Sequence, residues 1–218
     1  VLRAIGYLFL TLVFLVLAGA AGYLYWQSQQ PQESVYDPII VSVARNEGVD
    51  PFLIRALIWR ESRFDALTHG GADEHGLMQV RPDVGEMWAK ANKVEDFNAD
   101  KLYDPETNIR VGTWYLNRSL KRWSQTDDPV TFALAEYNAG HSNALKWVDP
   151  LSPQSHLAFL DRITFPGTRK YVDVIQEKRA EFTRDFATDR WYKDDFDAPS
   201  TTSLVPATNI DTPATNAP

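Results

Sequence analysis

Aspartate followed by proline recurs along the chain, at Asp37-Pro38, Asp50-Pro51, Asp104-Pro105 and Asp128-Pro129. Each pair writes the start of a helix. The carboxylate can accept a hydrogen bond from an orphan N–H of the first turn, and the fixed φ of proline suits the first helical position. Helical spacing follows. Leu53, Leu57 and Glu61 share one face, with Ile54 and Ile58 beside them. Ile109, Gly112, Leu116, Leu120 and Trp123 form a second stripe, and Val130, Ala133, Leu134 and Tyr137 a third. Tyr171, Ile175, Phe182 and Phe186 form a fourth. Strand-like alternation is nearly missing, apart from a short extended piece expected near Leu77 to Val80. The expected fold class is mainly α.

The chain has 218 residues. Residues 199–218, from Pro199 to Pro218, are rich in Thr, Pro, Ala and Asn and are expected to be disordered. Residues 27–36 are polar, contain Pro31 and read as a linker. Roughly 160 residues remain, 37–198, enough for one buried domain. A net charge of −7, with Lys and Arg spread thinly, excludes a basic nucleic-acid footprint. Without cysteine there is no disulfide framework, thiolate nucleophile or Cys-ligated zinc site.

Residues 1–26 carry a different signal. Ala4 to Trp26 contains no charged residue, and a bilayer core needs about 20 apolar residues in a helix. Tyr23, Tyr25 and Trp26 suit the far interface, and Arg3 favours an N-in orientation. The small-residue pattern Ala18-Gly19-Ala20 also fits a cleaved signal peptide. Either reading exports the domain; a signal's apolar core is usually about 7–15 residues and this stretch is longer, so one N-terminal transmembrane helix is the expectation.

Glu61 is the residue to weigh first for chemistry. Two turns of apolar residues precede it on the same face, which places its carboxyl against the core. Burial and the helix C-terminus both raise a carboxyl pKa, and a protonated glutamic acid can donate to a glycosidic oxygen. On its own, Glu61 reads more commonly as an ion pair with Arg60, Arg63 or another base, or as a surface carboxylate at a frayed helix end. Its neighbours change that weighting. Gly76-Leu77-Met78-Gln79 joins a glycine to an amide, and Tyr137-Asn138-Ala139-Gly140 supplies a flat ring, a second amide and small residues. A sugar-binding cleft needs those parts.

Together these segments resemble the catalytic domain of the soluble-lytic-transglycosylase family, in the lysozyme-like superfamily. The resemblance runs through Glu61-Ser62-Arg63-Phe64-Asp65 and Gly76-Leu77-Met78-Gln79, then Asn108, Gly112 and Tyr115-Leu116. It continues through Ala135-Glu136-Tyr137-Asn138-Ala139-Gly140 and Thr168-Arg169-Lys170-Tyr171-Val172. It implies a lysozyme-like domain in which Glu61 is general acid and then base, with Ser62, Met78, Gln79, Tyr137, Asn138 and Tyr171 lining a glycan groove. It further implies cleavage of the β-1,4 bond between N-acetylmuramic acid and N-acetylglucosamine in peptidoglycan, with a 1,6-anhydro product, one carboxyl and no cofactor. Peptidoglycan strands are the expected partner. The expected location is the bacterial cytoplasmic membrane, single-pass, with the domain on the periplasmic side. No envelope-machinery partner is named by the sequence.

Several positions depart from the family pattern. Ala66 replaces a proline, Gly70 a serine that could bond the acid, Asp73-Glu74 a small pair, and Gly167 a glutamate. Goose-type lysozymes resemble the same blocks and use extra aspartates near that turn, so a hydrolytic muramidase with Asp73 or Glu74 assisting is the alternative. A non-catalytic peptidoglycan-binding protein is a third reading. The spacing of His69 and His75 suggests no metal site. His141 reads as a capping or exposed residue, and Trp114, Trp123 and Trp147 as core more than sugar platforms.

Overall fold

The computed structural model describes residues 7, 12–23 and 34–186. Residues 12–23 are helical, with exposed side chains. Among the described residues no helix is long and apolar enough to cross a membrane. Much of the Ala4–Trp26 span lies outside them, as do most of the linker and the whole tail.

The domain is helical, as its caps predict. In chain order it contains α1 (Asp37–Glu47), α2 (Pro51–Ser62), α3 (Pro82–Asn92), a short 3₁₀ helix (Ala99–Tyr103), α4 (Pro105–Arg122), α5 (Pro129–Ala139), α6 (His141–Trp147), α7 (His156–Arg162) and α8 (Pro166–Phe186). Three of the four aspartates cap as expected: Asp50 accepts from Phe52 N, Asp104 from Thr107 N and Asp128 from Val130 N. Asp37 does not. Tyr36 is the N-cap of α1, and Asp37 turns inward, where its Oδ1 meets the Arg55 guanidinium at 2.5 Å. A buried counter-charge from α2 outweighs a local cap because burying Arg55 alone would cost several kcal/mol, on the order of 3–5.

Helices α2 and α8 pack along each other, as do α4 and α5, α1 and α4, and α5 and α8. Two helices are buried nearly all round rather than on one stripe. Leu53 to Ile58 in α2 and Thr131 to Glu136 in α5 are all buried. Trp123, Phe132, Trp147 and Phe159 form an aromatic centre, with Phe132 stacked on Phe159 at 4.1 Å. Trp123 and Trp147 therefore belong to the core.

The segment between α2 and α3 is where the fold departs most from regular structure. The extended piece expected at Leu77 to Val80 is instead a turn, and only Val80 pairs across, with His75. Gly76 has φ +72, and a Cβ there would meet the Leu102 carbonyl and the Asn108 amide. Gln79 N closes the turn on Gly76 O at 3.1 Å. Asn108, fully buried on α4, holds the turn in place. Its Oδ1 accepts from Met78 N at 2.7 Å, and its Nδ2 donates to His75 O at 2.7 Å and Leu102 O at 2.6 Å.

Replacing Asn108 by alanine leaves one buried N–H and two buried carbonyls without that partner. Urea unfolding of Asn108→Ala is expected to show a loss of about 3–5 kcal/mol. A loss below about 1 kcal/mol would mean that water or relaxation replaces all three bonds.

Candidate active site

Glu61 is the penultimate residue of α2, and the chain then leaves the helix through two left-handed residues, Arg63 (φ 54) and Phe64 (φ 63). Phe64 is buried and anchors that exit. The turn directs Glu61 into a cleft of about 590 Å³ between α2, the 72–81 segment, α3, α4 and the end of α5. No ion pair to Arg60 or Arg63 forms: Arg63 lies over the Trp59 ring and Arg60 over the Tyr171 ring. The Tyr171 hydroxyl donates to Glu61 Oε1.

Burial pushes the Glu61 carboxyl up to about 7, against the lowering effects of the Tyr171 hydrogen bond and the Arg60 charge, with Glu74 adding to the rise. The carboxyl therefore holds its proton close to neutral pH. Burial, reinforced by Glu61, also raises Tyr137 and Tyr171 well above the ordinary phenol value, so both remain neutral donors.

Of the residues that the resemblance assigns to the groove, the structure brings Gln79, Tyr137 and Asn138 together with Glu61 on the cleft wall. Ser62, Met78 and Tyr171 lie behind it. Ser62 Oγ is 2.8 Å from Leu77 O and 3.2 Å from Ile58 O, and so is spent on the backbone. The Met78 side chain is fully buried, packed so tightly that a Cβ on Gly112 would come within 2.6 Å of its sulfur. Met78 contributes its carbonyl, which accepts from Tyr137 Oη at 2.9 Å. Tyr171 is buried and acts on Glu61.

The two cleft amides are each half-committed. Gln79 Nε2 donates to Thr68 O at 3.1 Å and Gly76 O at 2.9 Å, which leaves Oε1 as its acceptor for a ligand. Asn138 Oδ1 accepts from Thr168 Oγ1 at 2.8 Å, which leaves the Nδ2 end as its donor. One wall thus offers an acceptor and the other a donor, a pairing suited to sugar hydroxyl and acetamido groups.

Tyr115, Arg81, Asp83, Val84 and Met87 also line the cleft. The i, i+4 spacing of Asp83 and Met87 on α3 was the available sequence signal for a shared face. Tyr115 packs edge-on against Tyr137, ring centroids 5.6 Å apart. Asp73 and Glu74 separate. Glu74 lines the cleft, whereas Asp73 Oδ1 sits 2.9 Å from His75 Nε2. Gly70 is tied to Glu74, since a Cβ at position 70 would fall against the Glu74 carboxylate and 2.6 Å from Gln79 Oε1. The absence of a side chain at position 70 makes room for the Glu74 carboxylate.

His141 caps nothing in the cleft. Its Nδ1 is 3.0 Å from Oε2 of buried Glu136, which also receives Ser119, Trp123 and Arg122. Burial pushes Glu136 up, but the hydrogen bonds from His141, Ser119, Trp123 and Arg122 outweigh it and hold the carboxyl below its ordinary value. The sequence spacing gave no metal site, yet the folded 69–75 segment gathers ligand atoms of His69, Asp73 and His75 within 4.8 Å of one another. A turn, with Asp73 at φ 63, achieves what linear spacing does not show.

Residues 38–152, more than half of the chain, match the model of the Transglycosylase SLT domain. The chain belongs to this family. It is 27% identical over 162 residues to the soluble lytic murein transglycosylase of Salmonella typhimurium, a match covering 73% of this chain and 25% of that protein. It is 32% identical over 111 residues to membrane-bound lytic murein transglycosylase F of Desulfosudis oleivorans, covering 50% of this chain and 22% of that one. Among solved structures, the 70 kDa soluble lytic transglycosylase of Escherichia coli superposes with a TM-score of 0.63 at 26% identity, over 80% of this chain and 28% of that one. The Pseudomonas aeruginosa lytic transglycosylase shares the fold, with a TM-score of 0.64 at 22% identity, over 72% of this chain and 25% of that one. The chain thus spans about a quarter of the length of the first of these relatives.

The raised Glu61 pKa has a sign for stability. The folded state holds the proton more tightly than the unfolded state, so stability falls as pH climbs from about 4.5 through about 7. Glu61→Gln carries no such charge. Its stability relative to the parent should rise by about 2–4 kcal/mol between acid and alkaline ends of that window in urea unfolding. A flat difference would mean the carboxyl is solvated.

Proposed function

We propose that the domain is a peptidoglycan lytic transglycosylase that cleaves the β-1,4 bond between N-acetylmuramic acid and N-acetylglucosamine, with Glu61 as its acid and base. One observation carries the reading: a carboxyl that keeps its proton near neutrality, aimed into a cleft walled by a phenol ring and two oriented amides. The family membership and the names of the relatives support it.

In this scheme the Glu61 proton passes to the glycosidic oxygen as the C1–O bond breaks, and the substrate's acetamido group stabilises the cationic sugar. The C6 hydroxyl then attacks C1, and its proton returns to the Glu61 carboxylate. No water is consumed and a 1,6-anhydro ring closes. A single carboxyl suffices because the nucleophile and the stabilising group both belong to the substrate, unlike the two-carboxylate schemes of most glycosidases. Tyr171 would keep Glu61 oriented, while Gln79, Tyr137 and Asn138 would hold the strand. Ser62 and Met78 would act through the backbone of the turn.

A second reading is favoured by Glu74, which shares the cleft and raises the Glu61 pKa. There a water activated by Glu74 would replace the C6 hydroxyl. Mass spectrometry of muropeptides released from purified peptidoglycan separates the two. Products lighter by one water support the transglycosylase, and reducing-end muramic acid supports hydrolysis. Glu61→Gln should lower turnover at least about 10³-fold while leaving strand binding largely intact. Turnover that survives that change would remove Glu61 from its role.

The reading extends to place. The uncharged Ala4–Trp26 segment and the membrane-bound relatives support an anchored, extracytoplasmic enzyme. A flexible linker of ten residues reaches only about 15–20 Å, so cutting would stay close to the membrane. Alkaline carbonate washing should leave the chain in the membrane fraction, and removal of residues 1–26 should release it. Release of the unshortened chain would count against an anchor.

A further inference from the structure

The loop that carries Glu74 and Gln79 to the cleft also gathers side chains that do not line it. We propose that His69, Asp73 and His75 form a binding site for a divalent transition-metal ion, zinc by preference, that clasps this loop.

Asp73 Oδ1 stands between the two imidazoles, 2.9 Å from His75 Nε2 and 4.0 Å from His69 Nε2. Ligand atoms of all three residues lie within 4.8 Å of one another. Zinc bonds of about 2.0–2.2 Å in tetrahedral array set ligand atoms about 3.3 Å apart. The 2.9 Å pair must open slightly and the longer separations close, and His69 and Asp73 are exposed enough to adjust. The rings meet edge to face, centroids 5.0 Å apart, so neither covers the other.

The surroundings orient the ligands as well. His69 Nδ1 is 3.0 Å from Tyr103 Oη, which occupies that nitrogen and leaves Nε2 for an ion. A partner on the remote ring nitrogen is the usual support of a metal-bound histidine. Without metal, His75 Nε2 donates its proton to Asp73 Oδ1. Coordination moves that proton to Nδ1, which is buried and has no hydrogen-bond partner, a cost that the bond to the ion must exceed. The backbone is shaped to match. His69 and His75 face each other across an isolated bridge, and Asp73 takes a left-handed conformation, φ 63, unusual outside glycine.

The donor set selects the ion. Two imidazoles and one carboxylate suit zinc and its transition-metal neighbours, whereas calcium and magnesium require oxygen ligands throughout. Three protein ligands leave a fourth position for water. An ion there would fasten His69 to the residues on either side of Glu74, and so fix the part of the cleft wall that Glu74 belongs to.

The test is zinc titration of the full-length chain, without an added histidine tag, against a chromophoric chelator. One ion per chain is expected, with about micromolar affinity, and His69→Ala and Asp73→Asn should each weaken it at least about tenfold. Both residues are exposed, so these variants should keep the parent circular dichroism. Independently, the ring nitrogen resonances of His69 and His75 in the unaltered chain should shift together on one equivalent of zinc. The proposal is overturned by no uptake at about 100 µM free zinc, by uptake that both substitutions leave unchanged, or by equal displacement with calcium.

Discussion

The amide of Asn108 is the constraint on which the site rests. One buried side chain supplies a carbonyl oxygen to Met78 N and an amide nitrogen to the His75 and Leu102 carbonyls. A buried turn without those partners would expose an N–H and two carbonyls to a medium that cannot solvate them. Other tethers then share the same turn: Ser62 Oγ on Leu77 O, Tyr137 Oη on Met78 O, and Gln79 Nε2 on Gly76 O. The main chain of residues 75–79 is therefore the scaffold. Ser62, next to the acid in sequence, serves the cleft by fixing that main chain rather than by facing the ligand.

Two carboxylates, Glu136 buried and Glu61 half-buried on the cleft wall, show how environment assigns roles. Glu136 receives hydroxyl, indole, guanidinium and imidazole donors, and their sum outweighs its desolvation. Glu61 receives a neutral phenol and the more distant charge of Arg60, and desolvation prevails. Both are glutamates at the C-terminal ends of helices buried nearly all round. The difference in donors leaves one a fixed anion that braces the α4–α5–α6 junction and the other a proton carrier.

Legibility followed the range of the interaction. The caps at Asp50, Asp104 and Asp128 are local chemistry and could be read directly, whereas Asp37 was claimed by Arg55 from another helix. Helical stripes located α2 and α5 but undercounted their burial, because a stripe shows one contact face and these helices are covered on several. The ordered blocks around Glu61, Gln79 and Tyr137 pointed to residues that meet on one cleft wall. They did not show that Ser62, Met78 and Tyr171 point behind the wall, since a motif gives position and not direction. Tyr115 and Met87 reach the cleft through tertiary packing. The approach of His69, Asp73 and His75 depends on one left-handed aspartate, which no periodicity signals.

Gly70 and Glu74 carry a consequence for how this sequence can change. A side chain introduced at position 70 would push aside the Glu74 carboxylate and the Gln79 amide, both flexible ends that can yield, and would crowd Glu74 Cβ at 3.1 Å. The conflict would appear in the cleft rather than in the melting curve. The two positions are thus coupled: a side chain at 70 disturbs the cleft least when residue 74 is short. Enlarging residue 70 while residue 74 stays long would give a chain that folds but has a misarranged cleft, whereas shortening residue 74 first would leave the new side chain room.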